Sequence, residues 1–325
     1  MPTKEEKVNL KIVFLGTPQF AVPILEKLAE SDFRPQIVFA APDRPVGRNH
    51  VVSPPPVKTA AEKLGLPVFQ PETTQELLLK LQEIKPDLVL TAAYGLILSK
   101  EILAMPKFGC LNVHPSLLPK YRGAAPIHNT ILNGDEKTGV TIFKMDQGID
   151  TGPILAASER PLANRKYTTA KLAEELAKLG ADLLINILPD WINGKIKPEP
   201  QDDARASYTK PIKKEDGLID WNKPAVEIER QLRAYDKWPA CYTLLDIPGQ
   251  RQHQRLKILE AFPFRGQEFE DRKPGEVFLD NDRNLRVQTG QGSLIITKLQ
   301  LEGGKPMLSP AFLQGHKEII GQILS

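Results

Sequence analysis

The sequence predicts an α/β chain: a mainly parallel sheet alternating with helices, followed by a small β-barrel domain. Three observations carry this. Short apolar runs alternate with stretches of helical spacing in the first part of the chain, the composition turns polar and aperiodic after it, and short β-type runs broken by Gly, Pro, Asn and Asp follow. The expected division is a first domain over 8–193, a linker over 194–208 and a second domain over 209–325.

Residues 10–16, Leu-Lys-Ile-Val-Phe-Leu-Gly, form an apolar run ending in glycine, and Ala21, Ile24, Leu25 and Leu28 then recur at helical spacing. Runs 36–41, 87–92 and 110–113 repeat the strand pattern, separated by helical stretches at 60–64 and 77–84. Strands this apolar are buried on both faces, as in parallel sheets. Residues 140–145 and 154–156 read as a strand pair around the turn Gly148-Ile149-Asp150-Thr151-Gly152, and 169–192 as one long amphipathic helix. Residues 194–206 hold Pro198 and Pro200 without periodicity. Beyond lie one helix, 225–234, and β-type runs at 238–245, 256–259, 275–279, 285–289 and 293–301, with Trp238 and Tyr242 expected in the barrel core. A chain ended near Ala206 is expected to keep the first core intact.

With 325 residues, 26% charged, 41% hydrophobic and net +3, the composition is that of an ordinary globular protein, compatible with a nucleic-acid partner without requiring one. Cys110 and Cys241 cannot build a disulfide framework, and no His set has metal-ligand spacing, so no metal is expected. The N-terminal residues lack the apolar core of a signal peptide, and no run is long enough to span a membrane. The turn Gly16-Thr17-Pro18 lacks the Gly-x-Gly-x-x-Gly pattern, which weighs against a nicotinamide-dependent oxidoreductase.

The stretch Leu111-Asn112-Val113-His114-Pro115 ends an apolar run, and strand alternation puts Asn112 and His114 on one side. Asp150 lies in a turn that returns across the sheet. An amide, an imidazole and a carboxylate together suit acyl transfer to an amine: Asn112, with His114 if protonated, meets the developing oxyanion, His114 moves protons and Asp150 supports the charged ring. Ligands in such sheets bind beyond the carboxyl ends of the strands, where this segment falls.

The segments Gly16-Thr17-Pro18-Gln19-Phe20-Ala21, Pro42-Asp43-Arg44-Pro45, Ala93-Tyr94-Gly95-Leu96, Asn112-Val113-His114-Pro115-Ser116-Leu117-Leu118-Pro119, Tyr121-Arg122-Gly123-Ala124-Ala125-Pro126 and Asp150-Thr151-Gly152 resemble those of the folate-dependent formyltransferases that act on methionyl-tRNA. The resemblance covers nearly the full chain and implies a Rossmann-like formyltransferase domain with a C-terminal OB-fold-like domain that helps grip initiator tRNA. It implies 10-formyltetrahydrofolate as donor, Asn112, His114 and Asp150 as the catalytic trio, and Leu96, Ile97, Leu98 and Ser116, Leu117, Leu118, Pro119 as folate contacts. A bacterial cytoplasmic monomer, with no DNA or membrane partner, is the expected setting. A formyltransferase for an amino sugar nucleotide would share the trio without needing the barrel; a tRNA-binding module without activity would leave the trio without a task.

The long loop 42–58 carries Arg44 and Arg48, and the start of the second domain carries Lys210, Lys213 and Lys214. Loops of that length in a compact domain are commonly functional, and these cations are the expected phosphate contacts to tRNA.

Overall fold

The computed structural model describes residues 10–46, 51–162, 166–246, 253–264 and 271–325. Two compact units emerge: 1–126 with 136–163 and 172–210, and 127–135 with 164–171 and 211–325. The stretch expected as a linker, 194–208, lies within the first unit.

The first unit contains β1 (Ile12–Gly16), β2 (Ile37–Phe39), β3 (Arg44–Val46), β4 (Val51–Ser53), β5 (Val68–Phe69), β6 (Leu88–Ala92), β7 (Cys110–His114), β8 (Arg122–Gly123), β9 (Lys137–Lys144), β10 (Ile154–Pro161) and β11 (Tyr208–Thr209). Seven of them make one sheet in the order β10-β9-β7-β6-β1-β2-β5. The strands from β5 to β7 are mutually parallel, and β9 and β10 extend the sheet antiparallel. Every residue of β1 and β6 is buried, the outcome expected for a continuous apolar run covered on both faces. Val13, Leu15 and Val89 pack with Leu77 and Leu81 from the helix Thr74–Ile84. That helix starts at Thr73, whose hydroxyl accepts from the Glu76 amide. Cys110 is buried in β7, as expected.

The helix Thr169–Ile192 has the bounds its periodicity predicts, and buries Leu172, Leu176, Leu184 and Leu188. A Cβ at Gly180 would stand 2.7 Å from Val113 Cγ1 and 3.2 Å from Val140 Cγ1, so the missing side chain lets this helix lie directly on β7 and β9. The long loop 42–58 is not structureless: β3 and β4 pair antiparallel in it, and the helix Pro56–Lys63 begins before it ends.

The second unit holds the helix Ala225–Ala234, with its expected bounds, and β12 (Tyr242–Leu245), β13 (Gln254–Phe264), β14 (Val277–Leu279), β15 (Leu285–Gln288), β16 (Ser293–Leu301) and β17 (Met307–Leu308). They form one antiparallel sheet in the order β12-β13-β16-β15-β14, with β17 also on β16. Among the described residues β12 and β14 do not pair directly, and the C-terminal residues bond to both edges: Ser325 with Leu244 of β12, Gln322 with Val277 of β14 and Leu324 with Gly275 just before it. Ile258, Leu294, Ile296 and Leu299 are among its buried side chains, joined by Phe312 from the helix Ser309–Gly315, which the sequence did not predict. Trp238, expected in the core, is 56% exposed; the strand starts only at Tyr242, whose ring is half-buried under the Arg255 guanidinium at 4.7 Å. The unit's well-buried tryptophan is Trp221, which donates to the Thr243 hydroxyl at 3.0 Å.

Candidate active site

Asn112 and His114 occur within β7 itself, on the same side of the strand, with buried Val113 between them. Parallel pairing sets Thr91 of β6 beside Asn112. The Thr91 hydroxyl donates to the Asn112 side-chain oxygen at 2.8 Å, which leaves the amide NH2 directed away from Thr91.

His114 is 4% exposed, and its two ring nitrogens have different partners. Nε2 stands 3.0 Å from the Tyr121 carbonyl oxygen, and since a carbonyl only accepts, Nε2 carries the proton. Nδ1 faces Asp150 Oδ2 at 3.6 Å. Burial pushes the ring toward its neutral form, below the ordinary 6.5, against the Asp150 carboxylate and the Tyr121 carbonyl, which pull upward. In the neutral ring Nδ1 is therefore the basic nitrogen. The expectation of His114 as an oxyanion donor is tied to a protonated ring; burial favours the neutral ring instead.

Asp150 is fixed at both ends. Its Oδ2 accepts from the Gly123 amide at 2.7 Å, and its carbonyl oxygen accepts from Gln201 Nε2 at 2.9 Å. Gln201 Nε2 also donates to the Gly152 carbonyl at 2.7 Å. Asp150 has φ 54° and Tyr121 has φ 62°, left-handed conformations that cost a non-glycine residue about 1 kcal/mol and persist only where surroundings impose them.

The surroundings come from the stretch read as a linker. Arg122, 1% exposed, donates through Nε and Nη2 to Gln201 Oε1 at 3.0 and 2.9 Å, through Nη2 to Asp203 at 2.7 Å and through Nη1 to the Tyr208 hydroxyl at 2.9 Å. β11 pairs parallel with β8, and the Ser207 hydroxyl accepts from the Tyr121 amide at 2.8 Å. At Gly123, φ is 102° and a Cβ would lie 2.6 Å from the Thr209 carbonyl oxygen, so only glycine permits this approach. A chain ended at Ala206, expected to keep the first core with the trio, would lose Ser207, Tyr208 and Thr209 and with them their bonds to residues 121–123. Sequence reasoning passed over Thr91, Tyr121 and Gln201; the left-handed turns at non-glycine residues leave no mark in a single sequence.

The expected folate segments divide by exposure. Ser116 and Leu118 are buried and tied to Thr141: its hydroxyl donates to the Ser116 carbonyl and accepts from the Leu118 amide. Leu117 and Pro119 are half-buried. Leu98 is buried, Leu96 half-buried and Ile97 81% exposed. The backbone amides and carbonyls of Leu96 and Leu98 have no hydrogen-bond partner among the described residues, whereas the Ile97 carbonyl accepts from Thr74. A cavity of about 420 Å³ lies over the carboxyl ends of β1, β2 and β6, lined by Thr17, Arg44, Pro54, Tyr94 and Leu96 among others. Of the residues expected to contact folate only Leu96 lines it, and Asn112, His114 and Asp150 do not.

Arg44 is exposed on β3, while Arg48 lies outside the described residues. Lys58, at the end of the same loop, is neutralised by Asp43 at 2.8 Å, and that ion pair with Gln70 holds the Asp43 carboxyl below its ordinary range. Lys210, Lys213 and Lys214 are exposed; Lys210 closes the first unit and the other two belong to the second. Among the described residues no group of His, Cys, Asp and Glu could hold a metal ion, and no helix is long and apolar enough to cross a membrane.

The Formyl transferase family profile matches residues 10–188 and the Formyl transferase, C-terminal domain profile matches 211–317. The chain is 41% identical over 318 residues to the methionyl-tRNA formyltransferase of Citrifermentans bemidjiense, covering 97% of this chain and 96% of the relative. To that of Roseiflexus castenholzii it is 43% identical over 320 residues, covering 98% and 99%. Among solved structures it resembles HypX from Aquifex aeolicus in complex with tetrahydrofolic acid, with a TM-score of 0.60 at 18% identity over 94% of this chain and 47% of HypX. The chain thus spans about half the length of that structural neighbour.

Proposed function

The chain belongs to the methionyl-tRNA formyltransferase family and transfers a formyl group from 10-formyltetrahydrofolate to the α-amino group of methionyl initiator tRNA for translation initiation, and on that premise we propose that Asn112, His114 and Asp150 carry out the transfer. One observation carries the assignment: His114 Nε2 is occupied by the Tyr121 carbonyl while Nδ1 faces Asp150.

Bound 10-formyltetrahydrofolate supplies an electrophilic formyl carbon and N10 as the leaving nitrogen. Asn112, with its oxygen held by Thr91, offers its NH2 to the negative charge developing on the formyl oxygen. His114 Nδ1 accepts the proton that the attacking amine must lose. Asp150 then stabilises the imidazolium across 3.6 Å, and the proton at Nδ1 is available to the departing nitrogen. The buried site needs no enzyme nucleophile; Cys110 has its thiol pushed up to about 12 by burial and stays protonated.

The unpartnered backbone groups of Leu96 and Leu98 suit the donor-acceptor edge of a pterin, with Ile97 as an apolar rim. From Ser116 to Pro119 the contacts we assign are to the surfaces of Leu117 and Pro119, with Ser116 and Leu118 holding the loop from within. Arg44, Arg48, Lys210, Lys213 and Lys214 are assigned to tRNA phosphates, supported by the exposure of the four that are described. This reading takes the protein as a monomer acting in the bacterial cytoplasm, where tRNA and folate meet.

The test is product detection by acid gel or mass spectrometry after incubation with methionyl-tRNA and 10-formyltetrahydrofolate, for wild type and His114→Gln. Product from the wild type with folate binding but no turnover in the variant supports the assignment; near wild-type turnover by His114→Gln overturns it. An amino sugar nucleotide run in parallel as acceptor should remain unformylated.

A further inference from the structure

We propose that Gln201 is a positioning residue for the formyl transfer, acting through its amide nitrogen on the backbone of the Asp150 turn; the proposal rests on the assignment of Asp150 above. Three features lead to it. Gln201 Nε2 donates to two carbonyls, Asp150 at 2.9 Å and Gly152 at 2.7 Å, one belonging to the left-handed residue of the turn and the other two residues beyond it. The side chain cannot rotate to exchange its two ends, because Oε1 accepts two hydrogen bonds from the buried Arg122 guanidinium, and a guanidinium only donates. Arg122 fixes which end of the amide meets the turn, and Gln201 carries that orientation to Asp150.

The arrangement closes a ring. The amide of Gly123, next in the chain to Arg122, binds the Asp150 carboxylate at 2.7 Å, while Gln201 binds the Asp150 carbonyl, so both ends of one residue are referred to one dipeptide. Asp150 faces His114 at 3.6 Å, beyond a direct hydrogen bond, and a turn free to relax from φ 54° would move the carboxylate relative to the ring. Partners that orient a functional group in this way change activity roughly 10–100-fold when removed, by analogy with the second layer around metal ligands.

Gln201→Glu separates positioning from simple anchoring. Glutamate keeps the length of the side chain and accepts from Arg122 at least as well, but has no N–H for the carbonyls of Asp150 and Gly152. Expected for this variant is a thermal midpoint a few degrees below wild type, since an oxygen replaces the donor facing two carbonyls, with a kcat reduced roughly 10–100-fold and KM values for both substrates within about threefold, an allowance of under 1 kcal/mol. In the Asp150→Asn background, Gln201→Glu should cost almost nothing more, since both substitutions act on one interaction. Gln201→Glu at full kcat, a loss confined to KM, or losses that multiply in the double variant would each overturn the proposal. If Asp150→Asn alone leaves turnover intact, the catalytic assignment fails instead, and the two failures are distinguishable.

Discussion

Thr91 and Asn112 sit opposite each other on parallel strands, and the hydroxyl of the first donates to the side-chain oxygen of the second at 2.8 Å. With the amide oxygen on Thr91, the NH2 of Asn112 is the end turned away from it, and the same hydroxyl also lies 3.1 Å from the Leu111 carbonyl. Asn112→Ala should therefore lower kcat at a cost of about 2–4 kcal/mol, the scale of a lost oxyanion donor. Thr91→Val, nearly the same shape, should give a smaller fall of roughly fivefold to tenfold with unchanged folate affinity. Single-turnover formylation measures both; an effect limited to substrate KM would contradict the role.

Asp150→Asn removes the charge but little volume. Turnover should drop by orders of magnitude while the dissociation constant for folate, read by fluorescence quenching, changes only a few-fold. Normal turnover would remove Asp150 from the mechanism.

The pH dependence follows from His114. Burial lowers its pKa below the ordinary 6.5 in the unliganded protein, so the ring is neutral at pH 7 and kcat/KM for the folate donor should be level above pH 6.5, falling as pH drops through the folded value. Asp150 pulls that value upward, so the residual activity of Asp150→Asn should have its acid limb at still lower pH. Stability has the same sign. The unfolded chain binds this proton more readily than the folded one, so the contribution is full above pH 6.5 and is lost as pH falls from there through the folded value. An acid limb above pH 6.5 in the wild type would refute the neutral ring.

Arg44→Ala should weaken turnover on methionyl-tRNA far more than it weakens folate binding, and Arg44→Lys should recover only part of the loss if the contact is a planar, multi-donor one. Initial rates at subsaturating tRNA decide this. Equal rates for wild type and Arg44→Ala would leave the β3–β4 hairpin without a role in tRNA binding.

Truncation should be sharply position-dependent. A chain ending at Lys210 should keep folate binding, use methionyl-tRNA poorly and show a shallower salt dependence of tRNA affinity than the full chain. A chain ending at Ala206 should lose folate-dependent turnover with any acceptor, because Ser207, Tyr208 and Thr209 no longer hold the segment from Tyr121 to Gly123. Equal behaviour of the two would show those bonds to be dispensable.

The sheet and the shared side of Asn112 and His114 were legible because their signals are local or periodic. Continuous apolar runs mark β1 and β6, the spacing of Leu172, Leu176 and Leu184 marks the long helix, and strand alternation aligns Asn112 with His114. Residues 194–208 read as a linker because polar, proline-bearing sequence without periodicity usually meets solvent. Here Gln201, Asp203 and Tyr208 meet Arg122 instead, at separations of 79 to 86 residues that no window can see. The β3–β4 hairpin was missed for a related reason: Val51 and Val52 are both exposed, so the alternation that marks a half-buried strand is absent.

The parallel pairing of Tyr208 with Arg122 also sets a schedule for synthesis. Chain delivered only as far as β7 can stack its strands, yet Tyr121 and Arg122 must wait 86 further residues for Ser207 and Tyr208. Most of the first unit is therefore synthesised before the bonds from Ser207 and Tyr208 to Tyr121 and Arg122 can form. The turn at Tyr121 is thus held by a part of the chain made long after the strand that precedes it.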